Sequence, residues 1–155
     1  MIYSVGHEWT NRDFTTLGWN ASRLYGWILP GREHKFLLHI DYCLKTPITD
    51  QAIGKYEIVP VELIFEDVVG LKINIDLDNY TELDITHIER TNKRSSPNGK
   101  LTYWDFHVSL SVGGEISFTS TGFTQTTLSN PIITEGFDLD REIKLLGRRG
   151  EYGSD

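Results

Sequence analysis

The chain has 155 residues, of which 39% are hydrophobic and 12% aromatic, enough to build the core of one globular domain. Its net charge of −7 argues against general binding to nucleic acid, because such binding needs a basic surface to displace counterions. The single cysteine, Cys43, excludes an intramolecular disulfide. With no signal peptide and no apolar run of membrane-spanning length, the sequence predicts a cytoplasmic protein without a membrane partner.

One domain is predicted over residues 1–146, followed by a flexible tail at 147–155. The first predicted element is a short helix over 11–18, because Thr10 and Asp13 resemble a capping box. Strands are predicted over 22–29 and 35–42, and the Pro-Gly pair between them is typical of a tight turn.

Two strands are predicted by strict alternation of apolar and polar residues, at 71–77 and 104–110. The apolar stretch 56–69 precedes them and contains Pro60, which belongs at a strand start, an edge or a bulge because it has no N–H to donate. The strand predicted over 83–91 loses its alternation between Ile85 and Ile88, which predicts a bulge.

Gly113 and Gly114 separate two alternating runs, which predicts a hairpin with a two-residue turn at positive φ. The second run continues to about residue 123 or 125, and residues 137–146 could form a short C-terminal helix. Seven or eight strands joined by short turns predict a mainly β fold. We expect an antiparallel meander that forms either a sandwich or a curved, barrel-like sheet.

A histidine and a carboxylate lie two residues apart on three predicted strands. The pairs are His39 with Asp41, Asp105 with His107, and His87 with Glu89. This spacing places both side chains of a pair on one face of a strand. If the strands of the first two pairs are neighbours, their four side chains could bind a metal or act as acid and base. The pattern favours a solvated sheet face with cross-strand pairing instead, and no cofactor is predicted.

Aromatic and acidic residues supply the candidate binding surface. Tyr25 and Trp27 are predicted to share one face of the first strand, and large rings either fill cores or form binding patches. Four acidic residues follow one another closely further along the chain: Asp76, Asp78, Glu82 and Asp84. The basic cluster Arg90, Lys93, Arg94 and Lys100 is interpreted as a solvated hairpin loop.

The order of the segments 24–29, 39–45, 60–76, 85–90 and 122–125 resembles a group of small uncharacterised bacterial β-rich proteins. It is also distantly similar to immunity-type proteins of polymorphic toxin systems. In those proteins a short strand pair precedes a Phe-x-x-Val-x-x-Leu segment, which stands here at residues 65–71. The resemblance implies a non-enzymatic role, and it carries no catalytic residue to this chain.

Three functional hypotheses remain open. The first is an immunity-like protein-binding module whose acidic, aromatic-bearing sheet face binds a basic protein, with no role for nucleic acid. The second is a small metal-dependent or acid–base enzyme that uses the histidine–aspartate pairs. The third is a curved sheet that encloses a small apolar ligand, with Tyr25 and Trp27 lining the cavity.

Overall fold

The computed structural model describes residues 3–45, 56–77 and 82–134. Ten strands and two single 3₁₀ turns account for most of the described residues. The strands are β1 (Glu8–Thr10), β2 (Ser22–Ile28), β3 (Phe36–Lys45), β4 (Tyr56–Glu66), β5 (Val69–Asn74), β6 (Leu83–Ser95), β7 (Thr102–Leu110), β8 (Glu115–Ser120), β9 (Gly122–Thr127) and β10 (Ile132–Thr134). The predicted C-terminal helix and tail lie outside the described residues.

The ten strands form one antiparallel sheet, in the order β1-β9-β4-β3-β2-β6-β7-β8-β5, with β10 paired to β4. The mainly β, antiparallel fold class is therefore confirmed. Two runs of consecutive strands, β2-β3-β4 and β6-β7-β8, are meanders of the predicted kind. The path is open, because β1 and β5 stand at opposite ends of the order.

The sheet has two halves, one formed by β1, β9, β4, β3 and β2 with β10, and the other by β6, β7, β8 and β5. Two tight corners carry the chain from one half to the other. Only residues 67 and 68 separate β4 from β5, yet these strands pair with different neighbours. Only Thr121 separates β8 from β9, so the run predicted as one strand is broken there. The corners are bonded to each other, since the Glu66 carbonyl accepts from Ser120 Oγ at 2.6 Å and from the Thr121 amide at 3.2 Å.

A cluster of phenylalanine rings lies between the two halves. Phe65 of β4 contacts Phe106 of β7, Phe118 of β8 and Phe123 of β9, with centroids 5.0, 4.6 and 5.9 Å away. Phe36 of β3 contacts Phe118 as well, at 5.5 Å. Because β3 and β4 belong to one half and β7 and β8 to the other, these contacts pack the inner faces of the two halves against each other.

The alternating runs at 71–77 and 104–110 correspond to β5 and β7. The interruption of the alternation after Ile85 is a bulge, as predicted. The register of β6 on β7 shifts between Ile85 and His87. The two-residue turn at Gly113 is wrong: the loop comprises residues 111–114, with Val112 and Gly113 at positive φ. Pro60 lies inside β4, between the stretch that pairs with β10 and the stretch that pairs with β9. In this gap the Pro60 carbonyl accepts a hydrogen bond from the Leu128 amide. Its missing donor therefore falls where the neighbouring strand is interrupted.

The predicted helix over 11–18 is not observed. The capping box of Thr10 and Asp13 is present, but it caps a single 3₁₀ turn, Asn11–Asp13. One turn is too short to be stable as an isolated helix, so packing decides its geometry. After it, Phe14 keeps helical φ and ψ and the Leu17 amide donates to the Asp13 carbonyl at 3.0 Å, so the chain makes a further turn that does not extend into a regular helix. The Phe14 ring contacts Phe106 and Phe123 in the core.

Asn11 ties this N-terminal turn to the start of β9. Its side-chain amide donates to the Thr121 carbonyl at 3.0 Å and accepts from the Phe123 amide at 3.1 Å. Gly122 lies between these two partners with φ +149°, and a Cβ built there would stand 1.8 Å from Asn11 Nδ2. Only glycine combines this φ with so close an approach.

We expect Gly122→Ala to destabilise the protein by about 2–3 kcal/mol, because it adds backbone strain and displaces the Asn11 side chain. Urea unfolding followed by circular dichroism measures the change. Gly31→Ala is the control, since that glycine has ordinary φ and open space at its Cβ. Equal effects of the two substitutions would contradict the role given to Gly122.

Candidate functional site

The register of five strands brings most of the predicted acidic and aromatic residues toward one end of the sheet. Leu24 of β2 lies opposite Leu83 of β6, so the first three residues of β2 pair with the start of β6 and the rest of β2 extends beyond it. β6 in turn begins where β7 ends, and Asn74 at the end of β5 lies opposite Glu115 at the start of β8. We call this region the acidic end; its residues are Tyr25, Trp27, Asp76, Glu82 and Asp84. Asp78 lies outside the described residues.

Arg23 of β2 holds two carboxylates at the start of β6. Its Nε donates to Asp84 Oδ1 at 2.5 Å, and its Nη1 lies 3.2 Å from Glu82 Oε2. The Asp84 amide donates to Ser111 Oγ at 3.0 Å, which joins β6 to the β7–β8 turn. One cation thus faces two carboxylates, and the Glu82 side chain, 55% exposed, presents negative charge to solvent.

Four large apolar side chains are exposed, two at the acidic end and two farther along β2. Ile28 and Leu29 follow Trp27 at the end of β2 and are 54% and 61% exposed. Val112 is exposed on the β7–β8 turn, and Leu77 is exposed directly after Asp76. Sequence reasoning missed them because an apolar residue at a strand end looks the same whether it is covered or not. Apolar side chains beside charge are typical of protein-binding surfaces.

A bulge in β2 changes the predicted arrangement of its two aromatic residues. The register on β3 shifts between Leu24 and Gly26, so Tyr25 is the extra residue. Trp27 then lies opposite Leu38, a core residue, and is itself partly buried against the core. A one-residue insertion reverses the alternation, so Tyr25 and Trp27 do not stand on one face as two residues of a regular strand would.

The two histidine–aspartate pairs are far apart in the sheet. His39 and Asp41 lie on β3, whereas Asp105 and His107 lie on β7, and β2 and β6 separate these strands. The condition for a shared site, that the strands be neighbours, is therefore not met. His87 and Glu89 do contact each other on β6, at 4.0 Å, with both side chains more than half exposed.

His39 and Asp41 are enclosed on the face of β3 opposite the core residues Leu38 and Ile40. Asp41 is 1% exposed, and His39 Nε2 is buried without a hydrogen-bond partner. His39 lies in register with Gly26 on one side and Glu62 on the other. In the part of the chain that the structure describes, no group of three or more potential ligands is placed to hold a metal ion.

Asp105 and His107 line an open groove of about 300 Å³ on the outer face of β5, β7 and β8. The carboxylate of Asp105 accepts from Asn92 Nδ2 at 2.9 Å, Thr119 Oγ1 at 2.7 Å and Arg94 Nη2 at 3.0 Å. The bond from Asn92, followed by those from Thr119 and Arg94, holds the pKa of Asp105 below its ordinary value.

His107 stands between a hydroxyl and a carboxylate in the same groove region. Its Nε2 lies 3.0 Å from Glu115 Oε2, and its Nδ1 lies 3.4 Å from Ser109 Oγ. The His107 side chain is 41% exposed, so this chain of polar groups is accessible from solvent. A proton can be transferred from the Ser109 hydroxyl to the His107 imidazole, whose charged form Glu115 would stabilise. This arrangement therefore allows an acid–base chemistry at His107 that does not require a metal.

Comparison with known proteins places no constraint on this site. A scan against protein-family models gives no match, and neither do searches of curated proteins and of solved structures. Within residues 3–45, 56–77 and 82–134, no helix is long and apolar enough to cross a membrane.

We expect Asp105→Asn to lower the free energy of unfolding at pH 7 by less than about 1 kcal/mol, because the side chain is 42% exposed and solvent screens its interactions. The folded-state pKa lies below that of the unfolded chain, about 3.9. The stabilisation is therefore complete above that value and is lost as the pH falls through the folded-state pKa.

Urea unfolding at pH values between 3 and 7 checks this dependence. The difference between wild type and Asp105→Asn should be constant from pH 7 down to about 5 and should shrink toward pH 3. Glu33→Gln, at a side chain 81% exposed, is the control and should show no such trend. A difference that persists unchanged at the lowest pH would contradict the assignment.

Proposed function

We propose that this protein is a non-enzymatic protein-binding module that docks a basic partner through the acidic end. The observation that carries the proposal is the exposure of Val112, on the turn that is bonded to Asp84 through Ser111, together with the 55% exposed carboxylate of Glu82. Ile28 and Leu29 extend the exposed apolar area farther along β2. Apolar area supplies binding free energy, while carboxylates orient the partner and raise the association rate. The proposal includes a role in occluding the partner, as expected from the sequence resemblance to immunity-type proteins and from the predicted cytoplasmic location.

A stiff support for this surface is part of the proposal. Arg23, Asp84 and Ser111 connect β2, β6 and the β7–β8 turn through hydrogen bonds. A surface built on bonded strands changes little on binding, so little free energy is lost to ordering it. A sandwich-like arrangement of the two halves would also keep the inner faces packed while leaving this end open.

Affinity capture from native cell lysate, read by mass spectrometry, tests the proposal with paired variants. We expect wild-type protein to retain one stoichiometric basic partner at low salt and to lose it at high salt, because screening weakens the charge contacts. Combined Ile28→Glu and Leu29→Glu substitutions should abolish retention, and Glu82→Lys should weaken it about tenfold. Equal retention by wild type and these variants would contradict docking at this end.

The matched control is Lys100→Glu, an exposed charge reversal on the β6–β7 hairpin at the other end of β6. It shifts net charge in the same direction as the apolar-to-acidic changes and should leave capture intact. Circular dichroism and urea unfolding of each variant separate loss of binding from loss of fold.

A second candidate function, acid–base hydrolysis, is favoured by the contacts of His107 with Ser109 and Glu115. In this scheme His107 accepts the proton of the Ser109 hydroxyl as that oxygen attacks the ester carbonyl carbon, and Glu115 stabilises the imidazolium. The ester C–O bond breaks and releases p-nitrophenolate, and a water deprotonated by His107 then cleaves the acyl–Ser109 ester to acetate and free serine. Hydrolysis of p-nitrophenyl acetate is the assay. His107→Ala and Ser109→Ala should each reduce the rate by at least about tenfold, and unchanged rates in both variants would remove this candidate.

A further inference from the structure

The hairpin made by the end of β6 and the start of β7 is basic throughout. Residues 90–104 contain Arg90, Lys93, Arg94 and Lys100 and no aspartate or glutamate, although the whole chain has a net charge of −7. We call residues 90–104 the basic hairpin. β2 pairs with β6 only at Leu83–Ile85, so the hairpin extends beyond that neighbour. It lies at the opposite end of β6 from the acidic end.

The tip of the basic hairpin is ordered by its own hydrogen bonds. The Ser96 amide donates to the Leu101 carbonyl at 2.8 Å, and the Leu101 amide donates to Ser96 Oγ at 3.1 Å. Asn98 Oδ1 accepts from the Ser96 hydroxyl and from the Lys100 amide, at 2.7 and 3.0 Å. The exposed charges are therefore presented on a preorganised loop, which lowers the entropic cost of binding.

Trp104 forms the apolar part of this surface. The Arg90 guanidinium lies between two rings, 4.2 Å from the centroid of Phe14 and 4.9 Å from that of Trp104. Lys93 Nζ lies 5.9 Å from the Trp104 ring. These cation–π contacts fix the tryptophan beside positive charge, and the Leu101 side chain, 43% exposed, adds apolar area at the tip.

Only part of the positive charge is neutralised. Arg94 pairs with Asp105 at 3.0 Å, and Arg90 donates to the Asn11 carbonyl at 3.4 Å. Within the described chain, Lys93 and Lys100 have no carboxylate within ion-pair distance, and both residues are exposed. Two uncompensated ammonium groups near an apolar ring and an exposed leucine match a ligand that carries both carboxylates and an apolar side chain.

We propose that the basic hairpin is a second docking surface, which binds an acidic segment of a partner protein with an apolar residue among its carboxylates. A short segment can contact the hairpin alone. A long nucleic acid would continue past it onto a chain whose remaining residues are more acidic than its net charge of −7 indicates. This second surface goes beyond the proposed function, because it is independent of the acidic end.

The test uses a fluorescent peptide of about ten residues, in which glutamates flank one leucine, and measures its binding to the full chain by anisotropy. We expect saturable binding that weakens with salt, and a loss of at least about tenfold in the Lys93→Glu, Lys100→Glu double variant. The Arg32→Glu, Lys35→Glu double variant, at two exposed residues of the β2–β3 turn, has the same net charge and should bind the peptide like wild type. Glu82→Lys should leave peptide binding unchanged, which separates this proposal from the function assigned to the acidic end.

Two further measurements decide between occupants. An oligothymidylate of equal charge replaces the peptide in the same titration, and tighter binding of it would overturn the proposal in favour of nucleic acid. Sedimentation velocity of the protein alone measures self-association; a salt-sensitive oligomer removed by the Lys93→Glu, Lys100→Glu substitutions would overturn it in favour of a second copy. Equal peptide binding by both double variants would show that net charge alone attracts the peptide, and would also overturn it.

Discussion

The packing of Phe65 against three rings is the interaction on which the sheet depends. The only ladder that joins the two halves in the described chain is the short pairing of β2 with Leu83–Ile85 of β6, so side chains between the inner faces must hold the rest of the two halves together. Phe65 reaches Phe106, Phe118 and Phe123, which lie on three strands. The two strands that diverge at Thr121 both contact Phe65, β8 through Phe118 and β9 through Phe123. The edge strands and the outer faces of the sheet are not needed for this packing and are available for binding.

Alternation of apolar residues predicted which segments are strands and where the pattern breaks. It identified β5, β7 and the bulge at Ile85, since a period of two directly reports one buried face. It did not predict that β4 and β5, separated by two residues, belong to different halves, because alternation specifies a face and not a neighbour. The helix expected near Thr10 failed for a related reason. A capping box starts a turn, but it does not specify how many helical turns follow.

The candidate site was predictable in composition and not in geometry. A spacing of two residues along a strand correctly predicted that two side chains share a face. Asp105 and His107 are an example, since both line the groove. This spacing said nothing of the distance between β3 and β7, which is set by the long-range pairing of β2 with β6. For Tyr25 and Trp27 even the face was altered, because one inserted residue in β2 reverses the alternation. Arg23 and the exposed Ile28 become visible only when the strands are aligned.

Net charge describes this surface poorly, because charges of opposite sign are separated along one strand. β6 has Asp84 at its start and Lys93 nine positions later, which at about 3.3 Å per residue places them about 30 Å apart. The Debye length at physiological ionic strength is about 8 Å, so exposed charges at one end hardly influence the other. An approaching partner therefore meets the local charge of one end rather than the average of −7. For this reason a protein that is acidic overall can present a basic surface, and the argument from composition against anionic partners applies to the average surface and not to the hairpin.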